Sequence, residues 1–591
     1  MRALGDQMAG RSEADIGRPA GDVPRTVRRG GDAAVANEAG LAALGAEMRH
    51  VGSRRSVARH AAVRSGRRRR LRRGALIALA IVVVLVGGAG WYFYDLTHDL
   101  TRVAVKGLKP TPTTGADAGA ENILMVGSTS RCALAQQNPA YGLCFQGVNG
   151  VNSDVIMILH ANPAQHKLAL LSIPRDLFVP NARAAGANKI DAGLVQGMSQ
   201  VVASIEEDFG IPIQHAVSLN FDQFANVVQA LGGIDMKFPV SLFDWGGLPP
   251  PNGTGSSGLN IQAAACVHLD GTQALEVVRA RHLRYETVAG SSDPYYWTQE
   301  PLSDLARIDR DHEFLRVLAT AVAKQNLDNP VTDIGLINSL KSDLTFDNSW
   351  SVDDMAHLVL DFHSVDINSV PQLTLPVAEV VDPDGPDGSY MYAGGGPYGD
   401  VEFPAQSEDQ AAIDRVLGIG AATDSMTGKP LPAPSTVTVS VENGSGVTSQ
   451  AADTATALAA LGFHTLGTGT IAPVGDVAET TVDYGSRSPA IEAAAEAVAR
   501  SMTGSVIMSY APNQVTDGAQ VTVDTGTQFQ VDAPPSSTSA SSTTSTTSTT
   551  SPTLATSAIA APSPSNPRLT PWDPEACAAG ATPTAPVHNR T

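Results

Sequence analysis

VIMILHANPAQHKLALLSI, residues Val155 to Ile173, holds two apolar runs separated by the turn-prone Asn162–Pro163 pair and reads as two adjacent strands. A third run of the same kind precedes it at Ile123 to Val126. Downstream the period changes. Leu194, Met198, Val201, Val202 and Ile205 fall on one helical face, and Leu305, Ile308, Leu315, Leu318 and Val322 repeat the pattern in a second long helix. Strands alternating with helices give an α/β class for a region spanning residues 121–381.

Upstream of these strands, Gly74 to Tyr94 (GALIALAIVVVLVGGAGWYFY) contains no charged residue and follows RSGRRRRLRR. About 20 apolar residues suffice to span a hydrocarbon core, and arginine gathers on the cytoplasmic side of such spans. We expect a retained single-pass transmembrane helix, a signal anchor, at 74–94. A cleaved signal peptide fits less well, because 73 residues precede this stretch. The N-terminus is then cytoplasmic and the bulk of the chain extracytoplasmic, at the cell membrane. The whole chain carries a net charge of −19, but residues 1–73 hold 17 Arg, no Lys and 7 acidic residues, so this part is +10 and the remainder −29. An acidic exterior argues against nucleic acid as a partner, and the basic tail suits anionic lipid beside the span.

The remaining boundaries follow composition. Residues 1–73 read as a disordered basic tail and 95–120 as a Pro/Thr/Gly linker. Residues 382–434, rich in Gly, Pro and Asp, read as a linker with at most a short helix near Ile413. A small α/β or α+β domain occupies 435–525. Residues 526–591, with SSTTSTTSTTSPT, read as a disordered Ser/Thr/Pro-rich tail. All four cysteines lie beyond the span. Cys132 and Cys144 bracket a short loop and are the chosen disulfide; Cys266 and Cys577 are left as either a second pair or two free thiols.

Polar residues cluster where the apolar strands end: Arg131 in NILMVGSTSR, Asp154 before VIMILH, Arg175 and Asp176 in LLSIPRD, Arg279 and Arg281 in EVVRAR, Arg307 and Arg310 in SDLARIDRD. Guanidinium groups converging from separate loops suit a pyrophosphate, and a nearby carboxylate suits Mg²⁺. Each has a plainer reading. Arg279 and Arg281 are ordinary cations near a helix C-terminus, Asp154 a turn residue, Arg175 and Asp176 a surface pair.

The ordered series NILMVGSTSR, NSDVIMIL, LLSIPRD, NKIDAG, FGIPIQHAVSLNF, VVQALGGIDM, LDGTQALEVVRARH and ARIDRDHEFL, roughly residues 121–324, resembles the LytR-CpsA-Psr family. Residues 435–525 resemble the LytR C-terminal domain found in actinobacterial members. The resemblance implies a mixed sheet flanked by helices with an apolar channel for a polyprenyl chain. It also implies transfer of a glycan, for example arabinogalactan, from its polyprenyl pyrophosphate carrier to a peptidoglycan hydroxyl as a phosphodiester. Carried onto this chain, it gives Arg175 and Asp176 catalytic roles, makes Arg131, Arg279, Arg281 and Arg307 substrate-binding, and makes Asp154 a ligand to Mg²⁺ or Mn²⁺. The family usually reads GSDSR and RSDT. Here Thr129 replaces a metal-ligand aspartate, Asn152 a phosphate-binding arginine, and Asp311 a glutamine. The alternative is a non-catalytic protein that binds or scaffolds polyprenyl-linked glycan.

Overall fold

The computed structural model describes residues 100–584, apart from 116, 129–143, 145–150, 245–256, 263–264, 289–296, 301–302, 325–343, 363, 379–397, 400, 471–478 and 533–570. The candidate membrane span, Thr129, Arg131 and Cys132 lie outside the described residues.

The three apolar runs are the centre of a seven-stranded mixed sheet. Its order is Thr101–Val103, Thr345–Asp347, His215–Leu219, Glu121–Ser128, Ser153–Asn162, Lys167–Ser172, Gln372–Thr374. Glu121–Ser128, Ser153–Asn162 and Lys167–Ser172 form an antiparallel meander. Alternation along these strands sends Leu124, Val126, Ile156, Ile158 and Leu171 to one face, all buried. They pack there with Val201, Val202, Ile205 and Phe209 of the Met198–Phe209 helix. The other face carries Ile123, Met125, Met157, Leu159, Leu170 and Ser172. The 22-residue Ser303–Lys324 helix reaches this face through His312, whose Nε2 lies 2.6 Å from Ser172 Oγ. Of the apolar face read for this helix, Ile308 is buried, but Leu315 and Leu318 are half-buried. Phe314 and Val317 enter the core instead, beside a wholly buried Arg310.

A second core joins the Phe221–Ala230, Gly271–Arg279 and Ser303–Lys324 helices to the small sheets around Ile234–Phe238 and Leu242–Asp244. Both shorter helices begin with capping boxes, Asn220 with Gln223 and Asp270 with Gln273. The C-terminal domain has a five-stranded sheet ordered His464–Gly469, Thr438–Asn443, Val521–Thr525, Thr480–Tyr484, Val506–Tyr510, with the helices Gln450–Ala460 and Pro489–Ala499.

Three stretches read as connecting or unstructured chain are built into the fold. Thr101–Val103, within 95–120, pairs in parallel with Thr345–Asp347. Within 382–434, Gln406–Leu417 is a 12-residue helix whose Ile413, Val416 and Leu417 join the main core. Within 526–591, Phe529–Val531 is a strand paired with Met502–Gly504, and residues 571–584 dock on the large domain. Low mean apolarity hid these short pieces, because each buries only a few side chains against surfaces that the rest of the chain supplies. The open choice for Cys266 and Cys577 resolves as a disulfide, with Cα atoms 5.6 Å apart. Cys144 is also disulfide-bonded.

Candidate active site

Asp154 owes its position to a β-bulge. Gly127 pairs with Val155 and Ser128 with Ser153, so Asp154 is the extra residue of its strand. A bulge bends the strand and re-aims the side chain. The Asp154 carboxylate accepts a hydrogen bond from Arg175 Nη1 at 2.5 Å, and its backbone carbonyl accepts one from Arg307 Nη2 at 2.8 Å. Arg175 comes from the turn after Lys167–Ser172 and Arg307 from the first turns of the Ser303–Lys324 helix. Three elements distant in sequence thus meet at one residue. They line a cleft together with Asp311, Ser172 and the apolar Met157 and Ile308.

Arg175 Nε also donates to Asp176 Oδ2 at 3.2 Å, and Lys189 Nζ donates to Asp176 Oδ1 at 2.7 Å. Burial alone would raise the Asp176 carboxyl; the charges of Arg175, Lys189 and Arg281 outweigh it and hold the group below its ordinary value. Arg281 therefore belongs to the same electrostatic cluster. The backbone of this turn is clamped on both sides, by Asp191 N to Arg175 O at 3.2 Å and Glu402 N to Asp176 O at 3.0 Å. Asp191 accepts from Asn152 Nδ2 at 2.9 Å; burial and the nearby Asp176 charge push its carboxyl up to about 6. Arg307, only 3% exposed, faces Asp311 across one helical turn at 4.0 Å.

The residues singled out from sequence sort as follows. Asp154, Arg175, Asp176, Arg281 and Arg307 come together. Arg279 ends its helix with the guanidinium 4.7 Å from the Phe221 ring centroid, a cation–π contact. Arg310 is no part of the cleft. It pairs with Glu300 and donates to Val277 O and Ala280 O, tying the long helix to the end of Gly271–Arg279. Lys189 was missed, although it lies in the quoted NKIDAG motif. A lysine two residues before a buried aspartate was its only signal.

The described carboxylates fit a divalent cation poorly. Asp154 Oδ1 is taken by Arg175, and both Asp176 oxygens face cations. Among the described residues no group of three or more His, Cys, Asp or Glu side chains is placed to hold a metal. What the cluster offers is several guanidinium and ammonium donors, each balanced by a carboxylate that an incoming phosphate would compete with.

A family model described as the LytR_cpsA_psr family matches residues 97–398, just over half the chain, and another, described as LytR cell envelope-related transcriptional attenuator, matches residues 436–529. The probable cell wall biosynthesis protein LcpB of Corynebacterium glutamicum is 31% identical over 278 residues, which are 46% of this chain and 59% of that protein. The polyisoprenyl-teichoic acid–peptidoglycan teichoic acid transferase TagU of Bacillus mycoides is 26% identical over 204 residues, 34% of this chain and 61% of that one. The chain thus spans about three fifths of the length of these two relatives. Among solved structures, the LytR-Csp2A-Psr enzyme from Actinomyces oris is 22% identical with a TM-score of 0.39, covering 54% of this chain and 95% of that one. With the family model matched over more than half of its length, this chain belongs to the LytR-CpsA-Psr family.

Proposed function

We propose that this protein is a membrane-anchored, extracytoplasmic phosphotransferase that moves a glycan from a polyprenyl pyrophosphate carrier onto peptidoglycan. The observation that carries the reading is the meeting of Arg175 and Arg307 at Asp154 in the lining of one small cleft, beside Asp176, Lys189 and Arg281. The names of the relatives, a cell wall biosynthesis protein and a teichoic acid transferase acting on peptidoglycan, point the same way. In this reading the acceptor hydroxyl attacks the glycan-side phosphorus. A new P–O bond forms, the P–O bond to the polyprenyl phosphate breaks, and that phosphate leaves, with the hydroxyl proton passing to it or to water. Phosphoryl transfer asks a protein mainly for positioning and charge stabilisation. Arg175 turns from Asp154 to the pyrophosphate, Arg307 and Arg281 neutralise the rest of its charge, and Asp176, held by Lys189, fixes Arg175. A span at 74–94 would tether the chain to the membrane that holds the lipid carrier.

The test incubates the purified full chain with a polyprenyl-pyrophosphate glycan and peptidoglycan oligomers and follows released polyprenyl phosphate. Loss of one charge-stabilising donor costs roughly a hundredfold or more, so Arg175→Ala and Arg307→Ala should each lose turnover by about that factor. Absence of turnover with every polyprenyl-pyrophosphate glycan tried would overturn the reading. Co-purified polyprenyl lipid without transfer would favour a binding or scaffolding protein, the reading that Thr129 in place of aspartate favours.

A further inference from the structure

Residues 571–584 lie far from the cleft in sequence, yet they are fastened to the elements that carry its arginines. Glu575–Ala576 adds an antiparallel strand to Ile234–Phe238, pairing with Lys237 and Met236 and covering an otherwise open edge. Lys237 Nζ holds Glu575 at 2.7 Å, and Cys577 is bonded to Cys266 on the strand across the sheet. Farther on, Thr584 N donates to Cys266 O at 2.9 Å and its carbonyl accepts from His268 N. Trp572 packs on the core that contains Tyr285, Phe314 and Val317, and Ala576 N donates to Glu313 Oε1 of the Ser303–Lys324 helix at 3.0 Å.

The polar part of this contact runs toward the active site. Asp573, 9% exposed, lies 2.6 Å from the Tyr285 hydroxyl, which is also 2.8 Å from Glu300. The phenol hydroxyl thus bridges the two carboxyl groups. Glu300 grips Arg310, whose side chain is completely buried. Arg310 in turn donates to Val277 O and Ala280 O, and Ala280 sits between Arg279 and Arg281. Arg307 precedes Arg310 by one turn of the same helix. Apolar residues would hold this seam more cheaply than a buried ion pair, which contributes less to stability than to a unique arrangement.

We propose that residues 571–584 act as a strap that sets the positions of Arg281 and Arg307, with Asp573 as a positioning residue working through Tyr285, Glu300 and Arg310. The kinetic part rests on the phosphotransfer reading; the packing part does not. Hydrogen exchange on the full chain tests the latter. Asp573→Ala, and separately Cys577→Ser with Cys266→Ser, should speed exchange in residues 277–281 and 303–313 by about tenfold, while residues 438–525 stay as in the wild type. In the transfer assay Asp573→Ala should lower kcat about tenfold with KM for the lipid carrier within about twofold, and Asp573→Glu should recover part of the loss. Unchanged exchange in both segments, or equal acceleration throughout the chain, would overturn the strap. Segment-specific acceleration in the variants, together with a wild type that never turns over lipid, would remove the phosphotransfer reading and leave the strap standing.

Discussion

Gly127→Ala should slow the chemistry about tenfold for a modest loss of stability. At an ordinary antiparallel pair, Cβ atoms lie about 4.5–5.5 Å apart. At the bulge, a Cβ placed on Gly127 would stand 3.0 Å from Val155 Cβ and 3.3 Å from its Cγ2. Val155 would have to yield by a few tenths of an ångström, and Asp154 is its chain neighbour. That residue makes two contacts with little slack, 2.5 Å to Arg175 and 2.8 Å to Arg307. Mild overpacking costs about 1 kcal/mol, which is a melting shift of about 2–4 °C in a domain of this size. A misplacement of about 1 Å can cost a hundredfold in rate, so half of that corresponds to roughly tenfold. The assay pairs a thermal melt with polyprenyl phosphate release. Gly420→Ala, where an added Cβ meets only Thr423 Oγ1 at 3.8 Å, is the control. Wild-type turnover in a Gly127→Ala protein that melts normally would refute the claim that the bulge places Asp154.

Gly271→Ala should do the opposite and cost mainly stability: its Cβ would lie 2.0 Å from the backbone oxygen of Ala225, forcing two packed helices apart, and we expect a loss of about 3 kcal/mol; a melt within a degree of wild type would contradict this. Lys189→Met removes the ammonium that holds Asp176 and should reduce turnover about tenfold with KM little changed, since Asp176, the second anchor of Arg175, is then free to shift; kinetics at saturating carrier decide it. Burial first, and then the Asp524 charge, raise the Asp483 carboxyl to about 8 in the C-terminal domain. Its folded value exceeds its unfolded one, so the stability it contributes is present below about pH 4 and is lost as the pH rises toward 8. Asp483→Asn should flatten the dependence of that domain's denaturation midpoint between pH 5 and 8, and an unchanged slope would count against it. Calorimetry with Mg²⁺ or Mn²⁺ should find weak binding to the ligand-free protein, strengthened by Thr129→Asp; tight binding to the wild type would show that donors outside the described residues complete a site.

Much of the site was legible because its residues sit where strong apolar signals stop. Asp154, Arg175 and Asp176 flank strands whose runs are unmistakable, and the motif series placed Arg281 and Arg307 beside them. Lys189 was not legible: nothing in a short polar stretch says which cation will face Asp176. Arg310 was grouped with the cleft arginines, since a periodicity read without Phe314 and Val317 did not show that its part of the helix turns into the second core. The docking of residues 571–584 was hidden by the 38-residue Ser/Thr-rich stretch before them, which lowers the average apolarity of the tail, although Trp572 and Cys577 are the kinds of residue that rarely stay in solvent.

The bond between Cys266 and Cys577 joins residues 311 apart, so the covalent ring it closes contains the whole C-terminal domain. That domain hangs from the larger one by both of its ends, and a single proteolytic cut anywhere between residues 533 and 570 releases nothing until the disulfide is reduced. The ring also imposes an order on maturation. Cys266 is made 311 residues before its partner Cys577 and must stay unpaired until that residue follows, although Cys132 and Cys144 have been made before it. Correct pairing therefore waits for Cys577 to be synthesised, and a chain that stops short of it carries an orphan thiol beside an open strand edge.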